Sequence, residues 1–196
     1  MRALENNMAD EKVADPGPLG LAGFATTTFA LSSANANLWH GAGVAAALSL
    51  AFFYGGIAQL LAGAMEFIRK NTFAAVAFTS YGAFWLSLYA LANWQKALGA
   101  NGSAGVFLLG WTIFTFYMMI ASVKLNNALL VVFVLLFITF VFLTWGNWGS
   151  FGAHANIVKI GGWTGLATAV AAWYASAAGV INTTHGKVVL PLGPRS

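Results

Sequence analysis

The sequence predicts an all-α membrane protein with six transmembrane helices in each protomer. Hydrophobic residues make up 59% of the 196 residues and charged residues only 7%, whereas about a quarter of a soluble domain is charged. A helix needs about 20 apolar residues to cross the hydrocarbon core of a bilayer, and the chain offers six such stretches. We expect the helices at residues 18–34, 43–68, 73–94, 103–123, 127–146 and 157–179.

Short polar segments flank this helical region. We expect a cytoplasmic N-terminal tail at residues 1–14, a six-helix membrane domain at 15–180 and a cytoplasmic C-terminal tail at 181–196. The N-terminal tail has no apolar segment followed by a cleavage site, so we expect no signal peptide. The chain contains no cysteine, which excludes disulfide bonds and thiolate metal sites.

The distribution of basic residues predicts the orientation. The formal net charge is +4, but Lys and Arg are scattered at helix ends, so we expect no nucleic-acid partner. With the N-terminus in the cytoplasm, Lys96 and Lys159 face outward. Seven basic residues then face inward: Arg2, Lys12, Arg69, Lys70, Lys124, Lys187 and Arg195. The positive-inside rule therefore favours a multi-pass cell-membrane protein with both termini in the cytoplasm.

The stretch DPGPLGLAGF at residues 15–24 marks the start of the first helix. Pro18 suits the first helical position because its missing N–H would have no partner there. The glycines allow another backbone or a small solute to come close. Amides at a helix N-terminus also favour a nearby anion. The stretch is therefore either a plain helix start or part of an anion-binding site.

Small residues in the predicted helices indicate close helix packing. In the sixth helix, Gly161 and Gly165 form a GxxxG pair. Such a pair suits contacts within one protomer and contacts between protomers equally well.

Ionisable side chains are almost absent from the predicted helices. No pair of carboxylates, histidine cluster or nucleophile–base arrangement occurs at a shared depth, so we expect no enzyme, no metal site and no cofactor. Glu66 lies within one turn of Arg69 and Lys70, either as an interfacial ion pair or as a gate residue at the inner mouth. Gln59 needs a hydrogen-bond partner in a neighbouring helix or in water.

Four side chains on four helices are expected at a similar depth. Phe24 lies roughly 9 Å from the inner end of the first helix and Tyr81 roughly 12 Å into the third. Gln59 and Leu136 lie roughly 14 Å from the inner ends of the second and fifth helices. The three bulky side chains could close a narrow path by excluding water. Ordinary core packing explains them equally well.

Three segments of the chain form an ordered set: DPGPLGLAGF, FFYGGIAQLLAGAMEF and NTFAAVAFTSYGAFW. Together they resemble the acetate uptake transporter family, the succinate–acetate permeases. The family's signature is an NPAPLGL stretch in the first helix, with similar YGGxAQ–AGxxE and FTSYGxFW runs in the second and third. The similarity continues through Gly146-Asn147, the GGW near Trp163 and the tail VVLPLG, so it covers nearly the whole chain.

The resemblance implies a six-helix protomer, commonly a cyclic hexamer, with one pathway in each protomer for acetate and related small carboxylates such as succinate. By matching motifs, the family's hydrophobic constriction falls on Phe24, Tyr81 and Leu136. Its polar substrate contact falls on Gln59.

The chain departs from the family signature at two positions. Asp15 stands where the family usually has Asn, and Gly17 stands where it usually has Ala. Asp15 adds a negative charge near the inner mouth, which could repel an anion or bind a proton. With Glu66, it is our candidate for a gate at this mouth.

Our first hypothesis is a passive or proton-linked pathway for acetate. Backbone amides at the start of the first helix, including those near Gly20 and Leu21, would attract the carboxylate. Thr27 and Gln59 would replace part of its hydration. Without an Asp, Glu or His in mid-membrane, a proton would travel with the substrate. The sequence leaves proton coupling and channel-like flow as alternatives.

Other functions remain open from the sequence. The alternative is a pore for ammonium or another small ion, whose cation could bind to aromatic faces. A third reading is a membrane scaffold that only assembles through its small-residue faces. A membrane enzyme is the least favoured class.

Overall fold

The computed structural model describes residues 13–39, 42–93, 103–149 and 154–195, and the regular elements in these ranges are helices. We number the six helical spans in chain order: α1 (Gly17–Asn35), α2 (42–68), α3 (Thr72–Asn93), α4 (Ser103–Ser122), α5 (Asn127–Gly146) and α6 (Ala155–His185). The predicted bounds agree with these to within two residues, except at the end of α6. That helix continues past residue 179 to His185, where Gly186 in a left-handed conformation, with φ of 63°, ends it.

Five of the six spans are long and apolar enough to cross a membrane, judged by length and composition. They are Val44–Ile68, Thr72–Asn93, Ala104–Ser122, Asn127–Gly146 and Ala155–His185. Large apolar side chains such as Phe53, Ile113 and Val170 point outward from the bundle, as expected for a surface in contact with lipid. The chain is a membrane protein with an all-helical fold.

The first helix, α1, falls short of the same criterion, so five of the six predicted membrane spans meet it. The reason is its polar content, which includes Thr27, Thr28, Ser32 and Ser33. All four of these side chains are buried, because α1 packs along α6 and against α2. The helix is therefore polar where it faces protein.

The start of α1 differs by one residue from the prediction. Pro16 is the N-cap and Gly17 the first helical residue, so that Pro18 occupies the second position. The side chain of Asp15 accepts a hydrogen bond from the backbone N–H of Gly17 at 3.0 Å. An acidic side chain thus satisfies an amide at the positive end of α1.

The second span, α2, is interrupted by a π-helical segment. Two α-helical parts, Ala42–Phe52 and Gln59–Ile68, flank six π-helical residues, Phe53–Ala58. A Cβ on Gly23 of α1 would lie 2.7 Å from the carbonyl oxygen of Tyr54 in this segment. Glycine is therefore required where α1 crosses the segment. Such π-helical insertions are often found at functional sites.

The GxxxG pair of α6 is used within one protomer, with a different partner for each glycine. A Cβ on Gly161 would meet the side chain of Leu143 on α5 at 2.7 Å, whereas Gly165 packs against Ser32 on α1. The pair therefore places α6 between α5 and α1.

Residues 188–195, which we call the C-terminal strap, fold back onto the bundle. The side chain of Asn182 donates a hydrogen bond to the carbonyl of Leu190 at 2.8 Å. Its oxygen accepts hydrogen bonds from the amides of Val189, at 2.7 Å, and Leu190, at 2.9 Å. One amide side chain at the end of α6 thus holds the start of the strap.

The strap also completes the start of α5. The amide of Asn127 donates to the carbonyl of Gly193 at 2.8 Å, and the amide of Ala128 donates to the carbonyl of Leu192 at 3.1 Å. These first-turn amides have no acceptor within their own helix. The strap therefore joins the end of α6 to the beginning of α5.

Candidate functional site

A cavity of about 190 Å³ lies among α1, α2, α3, α5 and α6. Most of its lining is apolar. The lining residues are Asp15, Gly17, Pro18, Leu21, Phe24, Gln59, Glu66, Asn71, Phe73, Ala74, Ala77, Phe78, Tyr81, Asn126, Leu129, Val132, Phe133, Leu136, Ala175, Gly179 and Leu192.

The cavity extends from one end of the bundle towards its middle. At one end are Asp15, before α1, Asn71, before α3, and Asn126, before α5; we call this end the mouth. Moving along each helix away from the mouth, the last lining residue is Phe24 on α1, Tyr81 on α3 or Leu136 on α5. These three residues therefore form the deep end of the cavity.

The side chains of Phe24, Tyr81 and Leu136 are packed together in the protein interior. They are only 5%, 3% and 4% exposed. The ring centroids of Phe24 and Tyr81 are 5.7 Å apart, with the rings inclined by 53°. The hydroxyl of Tyr81 forms a hydrogen bond of 2.9 Å with the hydroxyl of Thr115 on α4. A solute leaving the deep end of the cavity would have to displace this apolar group.

Gln59 is the one amide side chain in the deep half of the cavity lining within the described residues. It follows the π-helical segment directly and is fully buried. Neither its Nε2 nor its Oε1 has a hydrogen-bond partner in the described part of the chain. A buried amide without partners costs free energy, so this side chain has donors and an acceptor available for a solute or water.

The mouth carries a cluster of charged side chains, Asp15, Glu66 and Arg69. The guanidinium of Arg69 donates a hydrogen bond to Oδ1 of Asp15 and forms an ion pair with it. The same Nη1 atom lies 3.7 Å from Oε2 of Glu66, which is 1% exposed. Glu66 also lies close to Gly17 at the start of α1. The sequence left two interpretations of Glu66 open, an ion pair and a gate residue. The ion pair is formed, and its basic partner is Arg69.

The remaining candidates for substrate contact occupy different positions. Leu21 lines the cavity. Gly20 packs instead against Phe78, whose ring lies 2.7 Å from the position of a Cβ on Gly20. Thr27 is buried one turn beyond Phe24, and its hydroxyl donates a weak 3.4 Å hydrogen bond to the carbonyl of Leu50. The structure therefore brings Leu21 to the cavity and places Gly20 and Thr27 outside its lining.

Sequence reasoning did not find several lining residues. Phe133 of α5 and Phe78 of α3 add aromatic walls, and Leu192 of the C-terminal strap reaches the cavity from the tail. Ala175 and Gly179 of α6 also line the cavity, and the sequence analysis did not single them out. Their spacing of four residues on one helical face was an available signal, but nothing local to the sequence indicates that Leu192 returns to this site.

Comparison with known proteins shows which family this architecture belongs to. A family model described as the GPR1/FUN34/yaaH family matches residues 3–194. The chain belongs to this family. The resemblance to acetate uptake transporters is therefore confirmed.

Two named relatives of the GPR1/FUN34/yaaH family match most of the chain. The succinate-acetate/proton symporter SatP of Escherichia coli K12 is 39% identical over 191 residues, which cover 95% of this chain and 98% of that protein. Acetate permease A of Emericella nidulans is 37% identical over 205 residues, which cover 96% of this chain and 69% of that protein. Both relatives are named as transport proteins, not enzymes.

A solved structure shares the fold. The structure described as the bacterial acetate channel SatP superposes with a TM-score of 0.85 at 40% sequence identity. The match covers 93% of this chain and all of that one. The fold of this GPR1/FUN34/yaaH member is therefore that of a transport protein.

Proposed function

We propose that this protein transports acetate and related small carboxylates across the cell membrane through the cavity of each protomer. The observation that carries the proposal is Gln59, a buried amide without protein partners, in a cavity that ends at Phe24, Tyr81 and Leu136. Membership of the GPR1/FUN34/yaaH family, with SatP and acetate permease A as relatives, supports acetate as the substrate.

In this mechanism a polar side chain binds the carboxylate of the substrate, and apolar side chains contact its methyl group. The Nε2 group of Gln59 donates to the carboxylate and replaces part of its hydration. The apolar constriction of Phe24, Tyr81 and Leu136 accommodates the methyl group and sets the size limit. Moving a carboxylate past apolar side chains without water is costly, so dehydration at the constriction is the main barrier.

Any proton that accompanies the substrate travels on the substrate itself. Among the described lining residues, the carboxylates are Asp15 and Glu66, which belong to the mouth cluster. The phenol of Tyr81 is the ionisable group at the constriction, and it is hydrogen-bonded to Thr115. The lining therefore offers no relay of carboxylate or imidazole groups past the constriction.

The mouth faces the cytoplasm, with both termini on that side, and α1 completes the six crossings. Within the described residues, Arg69, Lys70, Lys124, Lys187 and Arg195 follow or precede helices at the mouth end, and Lys159 lies at the opposite end. This asymmetry supports the orientation. Arg2, Lys12 and Lys96, which contributed to the prediction, lie outside the described residues. We also propose that the protein assembles as a cyclic hexamer, and the support for this is the family resemblance.

Uptake of labelled acetate into proteoliposomes tests the proposal. Membrane voltage and the pH gradient are clamped separately, and formate, propionate and succinate are added as competitors. We expect saturable uptake that small carboxylates inhibit. Uptake driven by the pH gradient at zero voltage would assign proton coupling, and uptake driven by voltage alone would assign anion flow. Uptake no faster than in empty liposomes under every gradient would reject the function.

A second candidate is passage of ammonia or ammonium. One relative, 35% identical over 188 residues, is named Ammonia transport outward protein 2 of Saccharomyces cerevisiae, and this chain spans 66% of its length. The aromatic rings of Phe24 and Tyr81 at the constriction are compatible with a small cation. Ammonium flux that acetate does not affect, in liposomes that show no acetate uptake, would favour this candidate.

A further inference from the structure

The carboxylate of Asp15 places a negative charge at the mouth that the transport mechanism above does not use. Asp15 lines the cavity, and its side chain is 45% exposed. We propose that Asp15 determines selectivity at the mouth, favouring monocarboxylates over dicarboxylates. This inference rests on the proposed transport of carboxylates and specifies which of them enter.

The first argument concerns hydrogen-bond donors. Oδ1 of Asp15 accepts the backbone N–H of Gly17 at 3.0 Å and also binds the guanidinium of Arg69. A helix N-terminal amide and an arginine are the two groups at the mouth best suited to bind a carboxylate. The chain's own carboxylate occupies both, and a substrate carboxylate must compete with it.

The second argument concerns charge. The mouth cluster contains two acidic side chains, Asp15 and Glu66, around one basic side chain, Arg69. The positive charge of Arg69 is therefore already balanced before a substrate arrives. Repulsion by the carboxylate of Asp15 doubles when the incoming anion carries two charges instead of one. In a water-like dielectric, one extra unit charge at ~5 Å changes an equilibrium roughly fourfold. The fixed charge thus discriminates against a dianion.

The variant Asp15→Asn separates charge from structure. The side-chain oxygen of Asn can still accept the N–H of Gly17, because Asn and Asp cap helices about equally well. Only the negative charge is lost, so the carboxylate of Asp15 no longer competes with the substrate for Arg69, which keeps its ion pair with Glu66. Initial rates of labelled acetate and succinate uptake are measured in proteoliposomes at neutral pH, where succinate is a dianion.

We expect the succinate-to-acetate ratio of kcat/KM to rise about fourfold, mainly through a lower KM for succinate. High salt should reduce this change, because salt screens exposed charges. Asp15→Glu keeps the charge and should keep the wild-type ratio.

The outcomes distinguish this inference from the proposed function. Wild-type protein that carries neither substrate would reject the transport function. Wild-type protein that carries acetate, together with an unchanged ratio in Asp15→Asn, would overturn the role of Asp15 alone. An equally raised ratio in Asp15→Glu would assign the effect to cap geometry, which would also overturn it.

Discussion

Gln59 combines full burial with an amide that has no hydrogen-bond partner among the described residues. Without a functional role, such a side chain would only lower the stability of the fold, because an unsatisfied buried amide costs about 1–3 kcal/mol. We infer that the carboxylate of the substrate accepts a hydrogen bond from this amide beside the apolar constriction, and that this bond offsets the cost. The same reasoning predicts opposite effects of a substitution on stability and on transport.

We expect Gln59→Leu to lower acetate uptake by about tenfold or more, since a hydrogen bond to a charged group contributes roughly 1.5–3 kcal/mol. Thermal stability in detergent should stay equal or increase, because the unsatisfied amide is removed. Uptake and melting temperature are measured on the same preparation. Ile57→Leu, an exposed position on α2, is the control. Normal uptake by Gln59→Leu would remove the amide from the mechanism.

The constriction predicts a change in size selectivity. Phe24→Ala should admit carboxylates longer than propionate, because it removes an aromatic ring that packs on Tyr81 at 5.7 Å. Phe24→Leu should give an intermediate size limit. This milder variant is included because a buried Phe→Ala change costs about 3–5 kcal/mol and could prevent folding. The readout is uptake of a series of labelled straight-chain acids. Phe67→Ala, 59% exposed, is the control. An unchanged size limit in both Phe24 variants would place the barrier elsewhere.

At the scale of helices, the close contact of α2 and α3 holds Gln59 and Tyr81 at their positions. A Cβ on Gly63 would lie 2.5 Å from the backbone nitrogen of Thr79, a distance that forces the two helices apart. We expect Gly63→Ala to lower the free energy of unfolding by about 1–3 kcal/mol, as overpacking does, and to reduce acetate uptake.

Gly110→Ala on α4 is the matched control, because a Cβ there would meet nothing within 4 Å. This variant should be neutral or slightly stabilising. Thermal denaturation in detergent and uptake in liposomes compare the two variants. Equal effects of the two substitutions would show that helix separation at Gly63 does not control the site.

The C-terminal strap is the second element with a testable role. Asn182→Ala removes three hydrogen bonds that hold the strap, so we expect faster cleavage of the tail by protease and a lower melting temperature. Thr183→Ala, at the exposed neighbouring position, is the control. If the strap in Asn182→Ala were as resistant to protease as in the wild type, its hydrogen bonds to the start of α5 would be sufficient to hold it.

At the scale of the whole molecule, the orientation can be measured with single cysteines, because the chain has none of its own. Lys124 lies in the exposed connection between α4 and α5, and Trp148, 52% exposed, follows α5 at the opposite end. We expect a membrane-impermeant maleimide to label Trp148→Cys in intact cells and Lys124→Cys only after permeabilisation. The reverse pattern would invert the proposed topology.

The sequence by itself determined the helices and their bounds to within a turn or two. In a bilayer, a stretch of about 20 apolar residues satisfies its backbone only as a helix, so composition was enough. The fifth helix was predicted at residues 127–146, and α5 spans the same residues, Asn127–Gly146. The shared depth of Phe24, Tyr81 and Leu136 followed from the helical rise, together with the family resemblance.

Only the tertiary structure decided which side chains meet. The hydrogen bond of Tyr81 with Thr115, the return of Leu192 to the cavity and the pairing of Asp15 with Arg69 join residues far apart in the chain. The two glycines of the GxxxG pair proved to have different helices as partners. Such contacts depend on the angles at which helices cross and on where the tail folds back. The local periodicity of the sequence determines neither of these.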